Sequence, residues 1–145
     1  MFKKILLPID VDHTEAAAAV YAKTAALARL SGAEIRLISV LPGFGMPIVS
    51  SFITDDVRKE VIDRCGAALE SFIEKNCSGD VSYKIRTGKN WEEIIKEAEN
   101  WQADLIVVYH NRRHDINEVF SHSCAQRVSE QAGCSVLRVR KILER

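Results

Sequence analysis

The sequence lacks most of the features that announce a chemistry directly. Its four cysteines, Cys65, Cys77, Cys124 and Cys134, form no CxxC pair and show no short ligand spacing. This argues against a zinc site and against a disulfide framework. Charge of one sign is missing too: 20 basic residues balance 20 acidic ones, so no overall field draws the chain to nucleic acid or to an anionic membrane. No apolar run approaches the roughly 20 residues that a membrane span needs. The opening MFKKILLPID is too short for a signal peptide and is interrupted at Pro8 and Asp10. Repeats and low-complexity tracts are absent. These absences predict a reduced, cytoplasmic, soluble protein forming one domain over 1–145, with no nucleic-acid or membrane partner. One further absence is local: the stretch from Tyr109 to Ser123, YHNRRHDINEVFSHS, contains no glycine.

What is present is an ordinary globular composition, 47% hydrophobic and 28% charged over 145 residues. That length suffices for one well-buried core and is short for two. Phe2–Ile9 is a continuous apolar run that suits a strand covered on both faces. Asp12 with Glu15 forms a capping-box pattern ahead of an alanine-rich helix that runs to about Leu30, and Gly32 follows as its C-terminal residue. Glu34–Val40 reads as a second strand, and Leu41–Phe52, with two prolines and two glycines, as an ordered loop. Thr54 is placed to cap the next helix, with Asp55 and Asp56 suiting the positive end of its dipole. Val57, Val61, Cys65, Leu69, Phe72 and Ile73 mark its inward face, and it ends near Asn76.

Val81–Arg86 alternates as a third strand. Asn90 with Glu93 forms another capping box, before a short helix striped by Trp91, Ile94, Ile95 and Ala98. Asp104–Tyr109 is the fourth strand. A helix from about Ser123 to Ala132, with Ala125, Val128 and Ala132 on one face, stops at Gly133, and Ser135–Val139 is the fifth strand. Helices thus separate all five strands, which predicts an α/β domain: a parallel sheet with helices on both faces. Ligands of such open sheets bind beyond the carboxyl ends of the strands, where strand order reverses. Asp10, Val40, Gly88 and the Tyr109–Ser123 stretch all follow carboxyl ends.

FKKILLPID, AALARLSGAEIRLISVLP, ADLIVV and AQRVSEQAGCSVLRVR, in that order over nearly the whole chain, resemble the universal stress protein family. FGMPIVSSF and HDINEVFSHS are most similar to its small bacterial F and G branch. The resemblance implies a flavodoxin-like sheet of order 3-2-1-4-5 and a homodimer formed through the last strand, Ser135–Val139. A pI of about 6.9 is also compatible with association. By family position, ATP or AMP would lie against Pro8, Ile9, Asp10, Val40, Val108, Tyr109, Asn111, Arg112, His122, Ser123 and Cys124. Asp10 would face the adenosine, and the Val40 backbone would face the adenine. Mg²⁺ would enter only with ATP.

Family members that bind ATP hold its phosphates on a G-x2-G-x9-G-[S/T] loop, whose glycines let backbone amides reach phosphate oxygens. In this chain those glycines fall on Tyr109, Arg112 and His122, and only the final hydroxyl, Ser123, remains. The bulk at these three positions predicts weak or absent ATP binding. Several residues carry two readings. Asp10 is a ligand residue or a turn residue; Arg112 and Arg113 offer guanidinium groups to phosphate or are solvated. The spacing H-x3-H-x7-H of His110, His114 and His122 matches no zinc pattern. Ser123, with His122 and Asp115, lacks a nucleophile elbow and reads better as a helix N-cap. Trp91 and Trp101 read as packing residues, and RVRKILER as a solvated tail or dimer contact. The chain therefore reads as a non-enzymatic stress-response protein acting through partners. The alternatives are a slow nucleotide hydrolase with Asp10 at Mg²⁺ and a purely structural dimeric module.

Overall fold

In the computed structural model, which describes residues 1–41, 54–110 and 121–140, five parallel strands alternate with four helices. The elements are β1 (Lys4–Pro8), α1 (Thr14–Ser31), β2 (Glu34–Leu41), α2 (Asp55–Asn76), β3 (Val81–Thr87), α3 (Asn90–Trp101), β4 (Leu105–His110), α4 (His122–Gln131) and β5 (Ser135–Arg140). The sheet order is β3-β2-β1-β4-β5, so the chain winds outward from β1 to one edge and then returns to the other. The reversal lies between β1 and β4, which pair through Ile5 with Leu105 and Leu6 with Ile106. The fold class read from the alternation of elements is the fold observed.

The two-residue period of a strand divides the core into two layers. Ile5, Leu7, Ile9, Ile35, Leu37, Leu105, Val107 and Tyr109 pack under α1 and α2, with Val20, Leu69 and Phe72. Leu6, Ile38, Val40, Ile106 and Val108 pack under α3 and α4, with Ile94, Ala98, Cys124 and Val128. The central strand is buried on both faces, which is why its sequence is apolar without alternation. Each such fully buried aliphatic side chain contributes about 1.5–3 kcal/mol.

Helix ends follow the sequence reading in some places and depart from it in others. The Thr54 hydroxyl accepts from the Val57 amide, capping α2. Gly32 takes φ 69° after α1, and its amide donates to the Ala28 carbonyl. The Asp12–Glu15 capping box is not formed. α1 begins at Thr14 after His13, because the Asp12 amide is itself bound by Asp10 Oδ1 at 2.9 Å. The Asn90–Glu93 box is not formed either. Lys89 holds the N-cap position of α3 without a side-chain bond, and Glu93 turns inward to Arg86 at 3.0 Å.

That inward turn belongs to a charged cluster that apolar periodicity could not reveal. Glu97, 2% exposed, accepts from Arg36 of β2 and Arg86 of β3, each at 2.9 Å. Lys96 reaches Glu93 at 3.1 Å. Arg36 also lies 4.6 Å from the Trp101 ring centroid, with Lys4 at 5.3 Å, so Trp101 packs against cations. Trp91 is placed similarly beside Arg127, at 5.5 Å. The cluster seals the β2–β3 end of the α3 layer, where the strands supply arginine and serine instead of aliphatic side chains.

Candidate functional site

The carboxyl ends of β1, β2 and β4 and the start of α4 meet at one edge of the sheet, on either side of the strand-order reversal. Each has a local reason to be there. β1 stops at Pro8, which has no amide for further ladder bonding. The chain is then held by Ile9, whose amide donates to the Ile38 carbonyl at 2.9 Å and whose carbonyl accepts from the Ser39 hydroxyl at 3.1 Å. At the far end of β2, the Gly88 amide donates to the Leu41 carbonyl at 3.1 Å. Gly88 sits at φ 140°, and a Cβ there would lie 3.1 Å from Glu93 Cγ, so glycine is favoured by the backbone conformation, and any side chain would crowd Glu93.

Asp10 is occupied. Its Oδ1 receives the Asp12 amide at 2.9 Å, its Oδ2 lies 3.0 Å from His13 Nδ1, and its carbonyl accepts from the His13 amide at 3.1 Å. Of its two sequence readings, the turn residue is the one that these bonds display. Val40 is 4% exposed and in register with Arg86 of β3. Its side chain belongs to the α3–α4 core, leaving backbone as its contribution to the edge. Val108 and Cys124 are likewise core side chains. Burial pushes the Cys124 thiol up to about 12, and its amide donates to the Ser121 hydroxyl at 3.0 Å.

Two readings of the glycine-free stretch are corrected. Tyr109 is 2% exposed and lies in the α1–α2 core with Ile9 and Val107. Its ring therefore does not stand as bulk in an open loop, because strand alternation turns it inward. The N-cap of α4 is Ser121, not Ser123; Ser123 is an exposed residue of the first turn. Asn111, Arg112, Arg113, His114 and Asp115 lie outside the described residues, as do the loop read between β2 and α2 and the basic tail after β5. His122 opens α4 and is exposed, with its Nδ1 3.1 Å from Arg138 Nη2. Among the described residues, no group of three or more His, Cys, Asp or Glu side chains could hold a metal ion.

The sequence reading therefore missed Arg138, His13 and Ser121. Arg138 was placed in a terminal basic run, although the period of β5 already put it on the face toward α4. A separate cleft of about 250 Å³, lined by Tyr21, Ala28, Arg29, Ile35, Asp80 and Val81 among others, opens at the opposite ends of the strands. It contains none of the residues expected at the site.

Comparison with known proteins places the architecture. A sequence model of the universal stress protein family matches residues 1–140. Universal stress protein MJ0531 of Methanocaldococcus jannaschii is 29% identical over 148 residues, covering 97% of this chain and 84% of the relative. The structure of the hypothetical protein MJ0577 superimposes with a TM-score of 0.73 at 25% identity, covering 97% of this chain and 96% of that one. A universal stress protein solved in complex with cAMP is similar at a TM-score of 0.58 and 19% identity, covering 96% and 97% of the two chains.

Proposed function

The chain belongs to the universal stress protein family, and on that premise we propose that it is a homodimeric adenine-nucleotide-binding module that acts through protein partners and binds ATP weakly. The observation carrying this reading is the convergence at the strand-order reversal. The ends of β1 and β4 flank it, the Val40 backbone lies on one side and the start of α4 on the other. This is where open α/β sheets receive ligands. The cAMP complex supplies a precedent for the fold, and not for these residues.

Several features favour binding over turnover. The Asp10 carboxylate is taken up by the Asp12 amide and the His13 imidazole, so it is poorly placed to hold Mg²⁺ for a hydrolytic step. The Cys124 thiol is buried and held protonated, far from the thiolate that a nucleophile requires. Weak ATP binding rests on the absence of glycine at 109, 112 and 122, since residues with a Cβ rarely adopt the left-handed backbone that lets successive amides close around a triphosphate. The nucleotide-facing set is Pro8, Ile9, Asp10 and Val40 at the base end, and Val108, Tyr109, Asn111, Arg112, His122, Ser123 and Cys124 at the phosphate end. Most of these contribute backbone.

Dimerisation is assigned to β5, an edge strand whose outer backbone groups are unpaired within the sheet and whose Leu137 is 44% exposed. Calorimetric titration with AMP and ATP tests the ligand, with AMP expected to bind and a low-micromolar ATP constant contradicting the weak-ATP reading. Light scattering at tens of micromolar tests the dimer, which is lost as a proposal if only a species near 16.3 kDa appears.

A further inference from the structure

We infer that Arg138, with Arg140 beside it, is the phosphate-binding element of this chain, so that one nucleotide phosphate is held by guanidinium charge where relatives use glycine amides. The inference rests on the nucleotide-binding reading above and specifies its phosphate end.

Arg138 and Arg140 are two residues apart on β5, and the strand period puts both on the face that α4 covers. Arg138 reaches the first residue of α4, its Nη2 lying 3.1 Å from His122 Nδ1. A guanidinium has only donors, so Nδ1 accepts and the imidazole proton sits on Nε2. A neutral imidazole in that contact does not offset the charge of Arg138. Its Nε is shielded from solvent and makes no hydrogen bond among the described residues. This contrasts with the other arginines of the sheet, since Arg36 and Arg86 are both bonded to the Glu97 carboxylate. Among the described residues, no carboxylate pairs with Arg138 or Arg140.

A guanidinium that pairs with no carboxylate among the described residues, beside a helix start that also carries the exposed Ser123 hydroxyl, suits a phosphate dianion. Planar paired N–H groups match two phosphate oxygens, and charge assistance roughly doubles the strength of each bond. One such fork serves one phosphate group. The ligand class is therefore a nucleoside monophosphate, and the β- and γ-phosphates of ATP would lack the amide cradle they use elsewhere.

The test is calorimetry on the full chain with adenosine, AMP and inorganic pyrophosphate, using wild type, Arg138→Gln, Arg138→Lys and Arg140→Gln. For AMP, Arg138→Gln is expected to raise Kd about tenfold, Arg138→Lys to recover part of the loss, and Arg140→Gln to give a smaller loss. Adenosine, which has no phosphate, should bind all four proteins alike, an outcome that a merely structural arginine would not produce. If adenosine and AMP bind wild type and Arg138→Gln with unchanged constants, the inference is overturned and the nucleotide reading stands. If pyrophosphate alone binds, in an Arg138-dependent way, the anion site stands and the adenine reading fails. If none of the three binds wild type, both fall.

Discussion

The Asp10 carboxylate holds His13 Nδ1 at 3.0 Å across a single turn, directly beyond the carboxyl end of β1. One carboxylate thus both closes the turn, through the Asp12 amide, and orients an imidazole whose side chain is about half exposed, at 52%. Its first duty is to start α1, in place of the capping box that the sequence pattern suggests at Asp12.

Asp10→Ala should therefore destabilise the protein without any ligand present, by about 1 kcal/mol, the usual cost of a lost cap. Urea unfolding measures this as a lower midpoint at unchanged slope. A midpoint equal to that of wild type would show that the turn does not depend on the carboxylate. His13→Ala should cost less, because its ring is exposed.

Glu97 binds two arginines from a nearly buried position. Glu97→Ala leaves Arg36 and Arg86 without their shared acceptor, and the expected loss is about 2–3 kcal/mol. That is below the value for fully buried triads because both guanidiniums retain some water contact. Glu97→Gln should fall between, keeping an acceptor but no charge. The comparison of the three midpoints is the measurement, and equal stability of wild type and Glu97→Ala would refute the bridging role.

Acid sensitivity has identifiable sources. Burial alone would raise the Glu93 carboxyl, but bonds from Arg86 and Lys96 outweigh it and hold it below its ordinary 4.5. Asp104 is opposed by burial in the same way, and the amides of Lys3 and Lys4, at 2.8 and 3.0 Å, hold it below its ordinary 3.8. A depressed carboxyl stabilises the fold above its unfolded value and loses that contribution as pH falls through its folded value. Tm should therefore hold steady from pH 7 to about 5 and fall as these groups take up protons below it. The fall should be shallower in a Glu93→Gln, Asp104→Asn double variant, and an equally steep fall would assign the acid sensitivity elsewhere.

Cys124, with its thiol raised to about 12 by burial, should be the slowest of the four cysteines to react with a disulfide reagent at pH 8. Its modification should track unfolding instead of thiolate chemistry. Mass mapping after short labelling would decide this; prompt labelling of Cys124 in the native protein would contradict the burial described.

Gly88→Ala should cost about 1–3 kcal/mol, because φ 140° is strained for any side chain and the new methyl would press on Glu93 Cγ at 3.1 Å. Pairing it with Glu93→Ala should recover part of the loss if steric contact contributes, and none if backbone strain is the whole cause.

Much of the scaffold was legible from the chain itself. All five strands were found within two residues of their ends, since apolar runs bounded by Pro, Gly and capping residues are local signals. Thr54 and Gly32 were read correctly because each cap lies within four residues of its partner. The Asp12 and Asn90 capping boxes failed for a common reason. In both places a residue outside the local pattern had a better use for the polar groups: Asp10 for the Asp12 amide, and Arg86 for the Glu93 carboxylate.

The chain by itself determined the order of strands and helices, the apolar faces they bury, and the missing glycines at 109, 112 and 122. Each of these follows from local periodicity or from identity at a position. Only tertiary structure decided that the Tyr109 ring is core, that Glu97 joins two strands, and that Arg138 of β5 meets His122 of α4. The side-chain bonds among them span up to 61 residues. They depend on crossovers that bring distant charges to one face, and no spacing within the sequence records them.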